Sequence, residues 1–90
     1  MIKDIFKCKK YVEEDGTITL SSDVLDAVEN AATEQEAKIE LAKSILDYAK
    51  DFYEEFDYWS SAPNRKGHVL YVLKAILLND INKIAELISC

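Results

Sequence analysis

Residues 33–59 carry the longest helical pattern in the chain, TEQEAKIELAKSILDYAKDFYEEFDYW. Thr33 followed by Glu36 forms a capping box, in which the two side chains satisfy backbone N–H groups at the start of a helix. Apolar residues then recur at helical spacing: Leu41, Ala42, Ile45, Leu46, Tyr48, Ala49, Phe52, Tyr53, Phe56 and Trp59. They span an arc of roughly 160°, wider than the ~100° stripe of an ordinary surface helix. The pattern predicts one long helix over residues 33–59, covered by at least two neighbouring elements.

The opposite face of this predicted helix is acidic, and its last third mixes acids with aromatic residues. Carboxylates four residues apart rise about 6 Å along a helix axis, so a row of them can imitate a line of phosphates. The residues predicted to contact a partner are Asp47, Asp51, Glu54, Glu55, Asp57 and Tyr58. The alternative is a solvated face, because mixed charge on an exposed helix is the usual pattern. Lys43 and Lys50 interrupt the row and favour that alternative.

Charge is unevenly spread along the 90 residues. Residues 1–12 carry four Lys and one Asp, for a net charge of +3; residues 13–57 carry fourteen acids and three Lys, for −11. Residues 58–90 carry four bases and two acids, for +2, and the three parts sum to −6. The acidic middle argues against nucleic acid as a direct ligand, because phosphate contacts need clustered Lys and Arg. A basic partner protein fits this charge better.

Composition predicts one small folded domain over residues 1–90. Apolar residues make up 49% of the chain, enough for a hydrophobic core and too many for a disordered protein. No apolar run approaches ~18 residues, so no membrane contact is predicted, and the first residues lack the pattern of a secretory signal. We therefore expect a cytoplasmic protein, in which Cys8 and Cys90 would be reduced.

An Asp-Gly pair within residues 5–20 predicts a β-hairpin. A three-residue loop with Gly16 in the left-handed region pairs Val12 with Ile18. That register places the apolar residues of both strands on one side: Phe6, Cys8, Val12, Ile18 and Leu20. A two-residue loop would mix polar and apolar residues on each face. We prefer the first register, because a buried face normally fixes strand pairing.

The remaining segments predict further helices. Ser21 or Ser22 can cap a short helix over residues 22–30, and a Ser-Ser-Ala-Pro-Asn cluster ends the long helix. C-terminal helices are predicted over residues 66–78 and 80–88, separated by two poor helix formers. One unbroken C-terminal helix is the alternative, because the apolar residues keep their phase across that point. The predicted fold is α+β and mostly helical, with an N-terminal β-hairpin packed on a bundle of three to four helices and one long central helix.

The helix predicted over residues 66–78 is apolar nearly all round, and such a helix is usually buried all round. One face should meet the long helix: Val69, Leu70, Leu73, Ile76 and Leu77. The other side would carry Tyr71, Ala75 and Leu78. If the hairpin does not cover these three residues, a second copy of the chain would bury them. The pattern therefore predicts a homodimer with an interface at these residues.

Catalytic and metal-binding motifs are missing from the sequence. It holds one histidine, His68, and two cysteines, which is too few for a convincing metal site; no phosphate-binding loop or nucleophile elbow occurs. We therefore predict no cofactor, no metal and no enzymatic activity. The functional hypothesis is an acidic inhibitor or immunity-type accessory protein, as in phages or mobile elements, that blocks a basic surface of a partner protein, for example a nucleic-acid-binding surface. The alternative is a structural or regulatory homo-oligomerisation module.

Overall fold

A computed structural model describes residues 6–22, 25, 27–61 and 68–89 of the chain, without the side chains of residues 59–61. Three strands come first: β1 (Phe6–Val12), β2 (Ile18–Ser22) and β3 (Val28–Ala31). Four helices and a short strand follow: α1 (Glu34–Glu54), α2 (Phe56–Ser61), α3 (Val69–Leu78), α4 (Ile81–Glu86) and β4 (Ile88–Ser89). The predicted α+β class, with an N-terminal hairpin and a long central helix, is confirmed.

The four strands form one sheet in the order β3-β2-β1-β4. β1, β2 and β3 pair in antiparallel fashion, and β4 pairs parallel to β1 with Phe6 opposite Ile88. The hairpin has the register predicted from its buried face, with Val12 opposite Ile18. Gly16 has φ 88°, and its N–H donates to the carbonyl oxygen of Glu13 at 3.0 Å. Glycine suits this turn because a side chain disfavours positive φ.

The core lies between the inner face of the sheet and α1. Leu20, Leu41 and Ile45 are fully buried there, and Phe52 continues the core toward the end of α1. Burial of a side chain of this size stabilises the fold by roughly 1.5–3 kcal/mol. Cys8 is also buried and is disulfide-bonded. The expectation of a reduced thiol is therefore wrong for Cys8, and Cys90 lies outside the described residues.

The short helix predicted over residues 22–30 is wrong at both of its ends, which lie in strands. Ser22 ends β2, and Val28 begins β3, which pairs with β2 along its length. The serine still acts as a local cap, because its Oγ accepts a hydrogen bond from the N–H of Leu25 at 3.0 Å. β2 pairs through backbone hydrogen bonds with the segment that forms β3. This pairing outweighs the local preference of the segment for a helix.

The long helix begins as predicted but ends earlier. The Thr33 hydroxyl accepts a hydrogen bond from the N–H of Glu36 at 3.2 Å. Glu55, with φ −116° and ψ 44°, leaves the helical region and separates α1 from α2. A single helix over residues 33–59 is therefore replaced by two.

The C-terminal helical region is divided into two helices at Asn79 and Asp80, as predicted. Asn79 is left-handed, with φ 44°, and ends α3. The Asp80 carboxylate caps α4 by accepting from the N–H of Lys83 at 3.2 Å. α4 ends at Glu86, and Ile88 lies in β4 rather than in the helix predicted over residues 80–88.

Candidate partner-binding surface

All six predicted contact residues are exposed, and they lie on the last part of α1, at the break that follows it and on α2. Asp47, Asp51 and Glu54 lie on α1 at spacings of four and three residues, so they share one helix face. Glu55 lies at the break, and Asp57 and Tyr58 lie on α2. We call this set of six the acidic junction: Asp47, Asp51, Glu54, Glu55, Asp57 and Tyr58.

The break at Glu55 gives the acidic junction its shape. A shallow depression of about 420 Å³ is lined by Tyr53, Glu54, Glu55, Phe56, Asp57 and Tyr58. Tyr53 and Tyr58 are 56% and 66% exposed, whereas Phe56 is half-buried and packs edge-on against Phe52. Exposed tyrosine beside carboxylates is a combination that suits a polar protein interface with aromatic anchors.

The lysines of α1 do not neutralise the acidic junction. Lys43 pairs with Glu40 at 3.4 Å, one turn before the junction begins. Within the described ranges, no lysine forms an ion pair with Asp47, Asp51 or Glu54. These three carboxylates therefore face solvent with their charge available to a partner.

Two carboxylates with close partners, Glu34 and Asp15, lie away from the acidic junction. The Lys10 ammonium of β1 donates a hydrogen bond to Glu34 of α1 at 3.1 Å, and Lys38 lies 3.6 Å from the same carboxylate. The hydrogen bond and charge of Lys10 hold the pKa of Glu34 below its ordinary value. In the hairpin turn, hydrogen bonds from the hydroxyl and N–H of Thr17 lower the pKa of Asp15. These contacts stabilise the fold and leave the acidic junction untouched.

The predicted dimer residues do not form an exposed face. Ala75 is fully buried, Tyr71 is half-buried with its ring centroid 6.3 Å from that of Phe6, and Leu78 packs against the core. The exposed residues of α3 are instead Leu70 and Leu77, at 78% and 82%. Because α3 is apolar on nearly every side, its sequence pattern does not show which side faces α1. The predicted buried and exposed sides of α3 are therefore wrong. The small Ala75 side chain suits a close approach of helices.

A second depression was missed because residues 22–30 were predicted to be helical. It has a volume of about 340 Å³ and lies beside β3, which is at the edge of the sheet. We call it the β3 groove, and its lining residues are Asn30, Ala31, Gln35, Glu36, Ile39, Glu40 and Lys43. No sequence signal marks this groove once β3 is assigned to a helix.

The described part of the chain holds neither a cluster of metal ligands nor a membrane-spanning helix. No group of three or more metal-ligating side chains occurs there. His68 is half-buried, and its Nδ1 lies 2.6 Å from the Tyr48 hydroxyl. No helix among the described residues is both long and apolar enough to cross a membrane.

Comparison with known proteins gives two matches. The model of the PHD_like family, described as the antitoxin of toxin–antitoxin systems of the RelE/RelB type, matches residues 2–90. A solved structure from Syntrophomonas wolfei subsp. wolfei, described as an antitoxin of a proposed toxin/antitoxin system, is 34% identical with a TM-score of 0.86. The alignment covers 93% of this chain and 60% of that structure's chain. No curated protein sequence matches.

These matches contradict the function expected from the sequence. A phage-type or immunity-type inhibitor that imitates nucleic acid does not agree with a family of antitoxins matched over residues 2–90. The expectation failed because an acidic row on a helix is not specific to nucleic-acid imitation. Nothing in the residue pattern itself distinguishes such a row from any other surface for a protein partner.

Proposed function

The chain belongs to the PHD_like family of antitoxins, and we propose from that membership that it is the antitoxin of a RelE/RelB-type pair and acts by binding the toxin. The family match over residues 2–90 is the observation that carries this proposal. The fold shared with an antitoxin at 34% identity supports it. Antitoxin membership also favours a regulatory protein without enzymatic activity. The chain spans only 60% of the length of that relative. The binding of a toxin by this chain is therefore part of the proposal.

Growth of cells that express the toxin provides the functional test. A RelE-type toxin from the same genome is induced with and without this chain, and growth is followed in both cultures. We expect the toxin alone to stop growth and co-expression of this chain to restore it. A culture that stays arrested, although both proteins are present in soluble form, would contradict the proposal.

We assign toxin contact to the acidic junction, with a basic surface of the toxin as its counterpart. Asp47, Asp51 and Glu54 present unpaired charge on one helix face, and Tyr53 and Tyr58 add exposed aromatic surface beside it. Complementary charge speeds association and selects the partner more than it adds raw affinity. Affinity at such a surface should fall as ionic strength rises, since exposed charges are screened.

A pair of double variants tests this assignment. Asp51→Asn with Glu54→Gln removes two charges from the acidic junction, and Glu13→Gln with Glu14→Gln removes two from the exposed hairpin turn. Titration into the toxin should show weaker binding and a smaller salt dependence for the first pair only. Equal affinity for both pairs would move the contact away from the acidic junction while leaving the antitoxin function in place.

Homodimer formation through α3 is the second candidate, and a different observation supports it. Leu70 and Leu77 lie seven residues apart on one side of α3 and are strongly exposed. Leu73 lies between them and is half-buried. An apolar stripe with this spacing suits packing against a second helix, and a two-fold axis would let two copies of α3 cover each other.

A further inference from the structure

The backbone register shows which groups of β3 point away from the sheet. The N–H of Ser22 donates to the carbonyl oxygen of Ala27 at 2.8 Å. Antiparallel pairs alternate between hydrogen-bonded and non-hydrogen-bonded along a ladder. Leu20 opposite Glu29 is therefore a hydrogen-bonded pair, and Ser21 opposite Val28 is not. It follows that the N–H and C=O groups of Val28 and of Asn30 point outward from the sheet edge.

Of the features that usually block strand addition, this edge lacks proline, lysine and a bulge, although β3 has only four residues and Glu29 points inward. Proteins protect edge strands with proline, lysine, a bulge or a covering segment. β3 has the sequence VENA and pairs with β2 without a bulge. Val28 is 61% exposed, and Asn30 is exposed as well. The edge is therefore accessible to a further strand.

The β3 groove offers such a strand a side wall. Ile39 and Ala31 supply its apolar surface, and Glu36 and Glu40 supply carboxylates from α1. Both apolar residues are partly buried and pack against the core, so the wall is fixed in place. An added strand would bond to the backbone of β3 and lay alternate side chains against α1.

The charges decide which kind of strand fits. Glu29 of β3 and Glu36 and Glu40 of α1 lie on the side of the sheet that α1 covers. Among the described residues, Lys43 is the only base that lines the groove, and it pairs with Glu40 at 3.4 Å, so the groove keeps an excess of negative charge. A second copy of this chain, with net charge −6, would bring like charges together, which is unfavourable for directly opposed side chains. A strand with lysine or arginine at alternate positions meets opposite charge instead.

We propose that the open edge of β3 and the β3 groove accept an extended, basic segment of the toxin as a fifth strand of the sheet. This inference rests on the proposed antitoxin function. It gives the toxin a second contact site, separate from the acidic junction. The backbone of Val28 and Asn30 provides hydrogen bonds, and the excess negative charge of the groove, with Glu36 outside any ion pair among the described residues, selects the basic side chains.

Two substitutions at Val28 separate the backbone contribution from that of the side chain. Val28→Pro removes the outward N–H, whereas Val28→Ala removes most of the same side chain and keeps the N–H. Proline is tolerated on edge strands when the lost N–H faces outward. In titrations with purified RelE-type toxin, the proline variant should bind about tenfold more weakly than wild type, which is the loss of a strong hydrogen bond. The alanine variant should remain within about twofold of wild type.

Amide hydrogen exchange of the unmodified chain tests the same inference without relying on a variant. In the free chain, the N–H groups of Glu29 and Ala31 should exchange slowly and those of Val28 and Asn30 quickly. With the toxin bound, Val28 and Asn30 should become protected. If the toxin binds but these two amides stay unprotected, strand addition is wrong and the antitoxin function stands. If the toxin does not bind at all, the antitoxin function fails and the inference fails with it.

Discussion

The hydroxyl of Tyr48 and Nδ1 of His68 lie 2.6 Å apart and join the middle of α1 to the start of α3. Their rings also meet edge to face, with centroids 5.7 Å apart. Tyr48 contacts Phe52 in the same manner at 5.9 Å. This cluster helps to set the position of α3 on α1, and thus the side on which Leu70 and Leu77 are exposed.

Tyr48→Phe should destabilise the fold by about 1 kcal/mol, because it removes a partly buried hydrogen bond and keeps the ring contacts. Tyr53→Phe is the matched control, since the Tyr53 side chain is 56% exposed and its change should be close to zero. Urea unfolding of both variants and of wild type measures the difference. Equal stability of the two variants would show that the Tyr48–His68 hydrogen bond contributes nothing.

Glu34→Gln should change how stability depends on pH. The pKa of Glu34 is lowered in the folded chain by its hydrogen bond with Lys10. A lowered carboxyl pKa adds stability above the pKa of the unfolded chain, and this stability is lost as pH falls through the folded value. The variant should therefore be less stable near neutral pH and lose less stability on acidification than wild type. The effect is small because the ion pair is exposed.

Urea unfolding at a series of pH values from neutral to acidic measures this effect. Glu14→Gln on the exposed hairpin turn is the control. Parallel stability curves for wild type and Glu34→Gln would contradict the assigned cause of the lowered pKa.

Leu77→Glu should abolish self-association if α3 forms the dimer interface. The side chain is 82% exposed, so the substitution should leave the fold of each chain intact. Val12→Glu makes the same kind of change on the hairpin, where the side chain is 68% exposed. Sedimentation should find wild type and Val12→Glu as dimers and Leu77→Glu as a monomer. A monomeric wild type at high protein concentration would rule out the α3 dimer.

The hairpin could be predicted in detail because local chemistry and burial agree there. Gly16 favours the turn, and only one register places Phe6 and Leu20 on the same buried side. The start of α1 could be predicted equally well, because the Thr33 cap is a local interaction. The helical period alone predicted that Asp47, Asp51 and Glu54 lie on an exposed face of α1; their contact with a partner stays a prediction.

Predictions failed where contacts between residues distant in sequence decide the secondary structure or the buried side of an element. Val28 belongs to an edge strand because β2 offers it a partner, a relation that local periodicity does not reveal. Because α3 is apolar on every side, its sequence does not show which side is buried. Contacts with α1 decide the orientation of α3 and therefore the burial of Ala75. The short strand β4 depends on pairing with β1, which is distant in sequence. The β3 groove could not be found before β3 itself.

Titration of this chain into purified RelE-type toxin from the same genome tests the antitoxin assignment most directly. We predict a saturable complex with fixed stoichiometry whose affinity falls as salt concentration rises, because the acidic junction takes part. A folded chain and a folded toxin that release no heat on mixing and elute separately from a sizing column would contradict it.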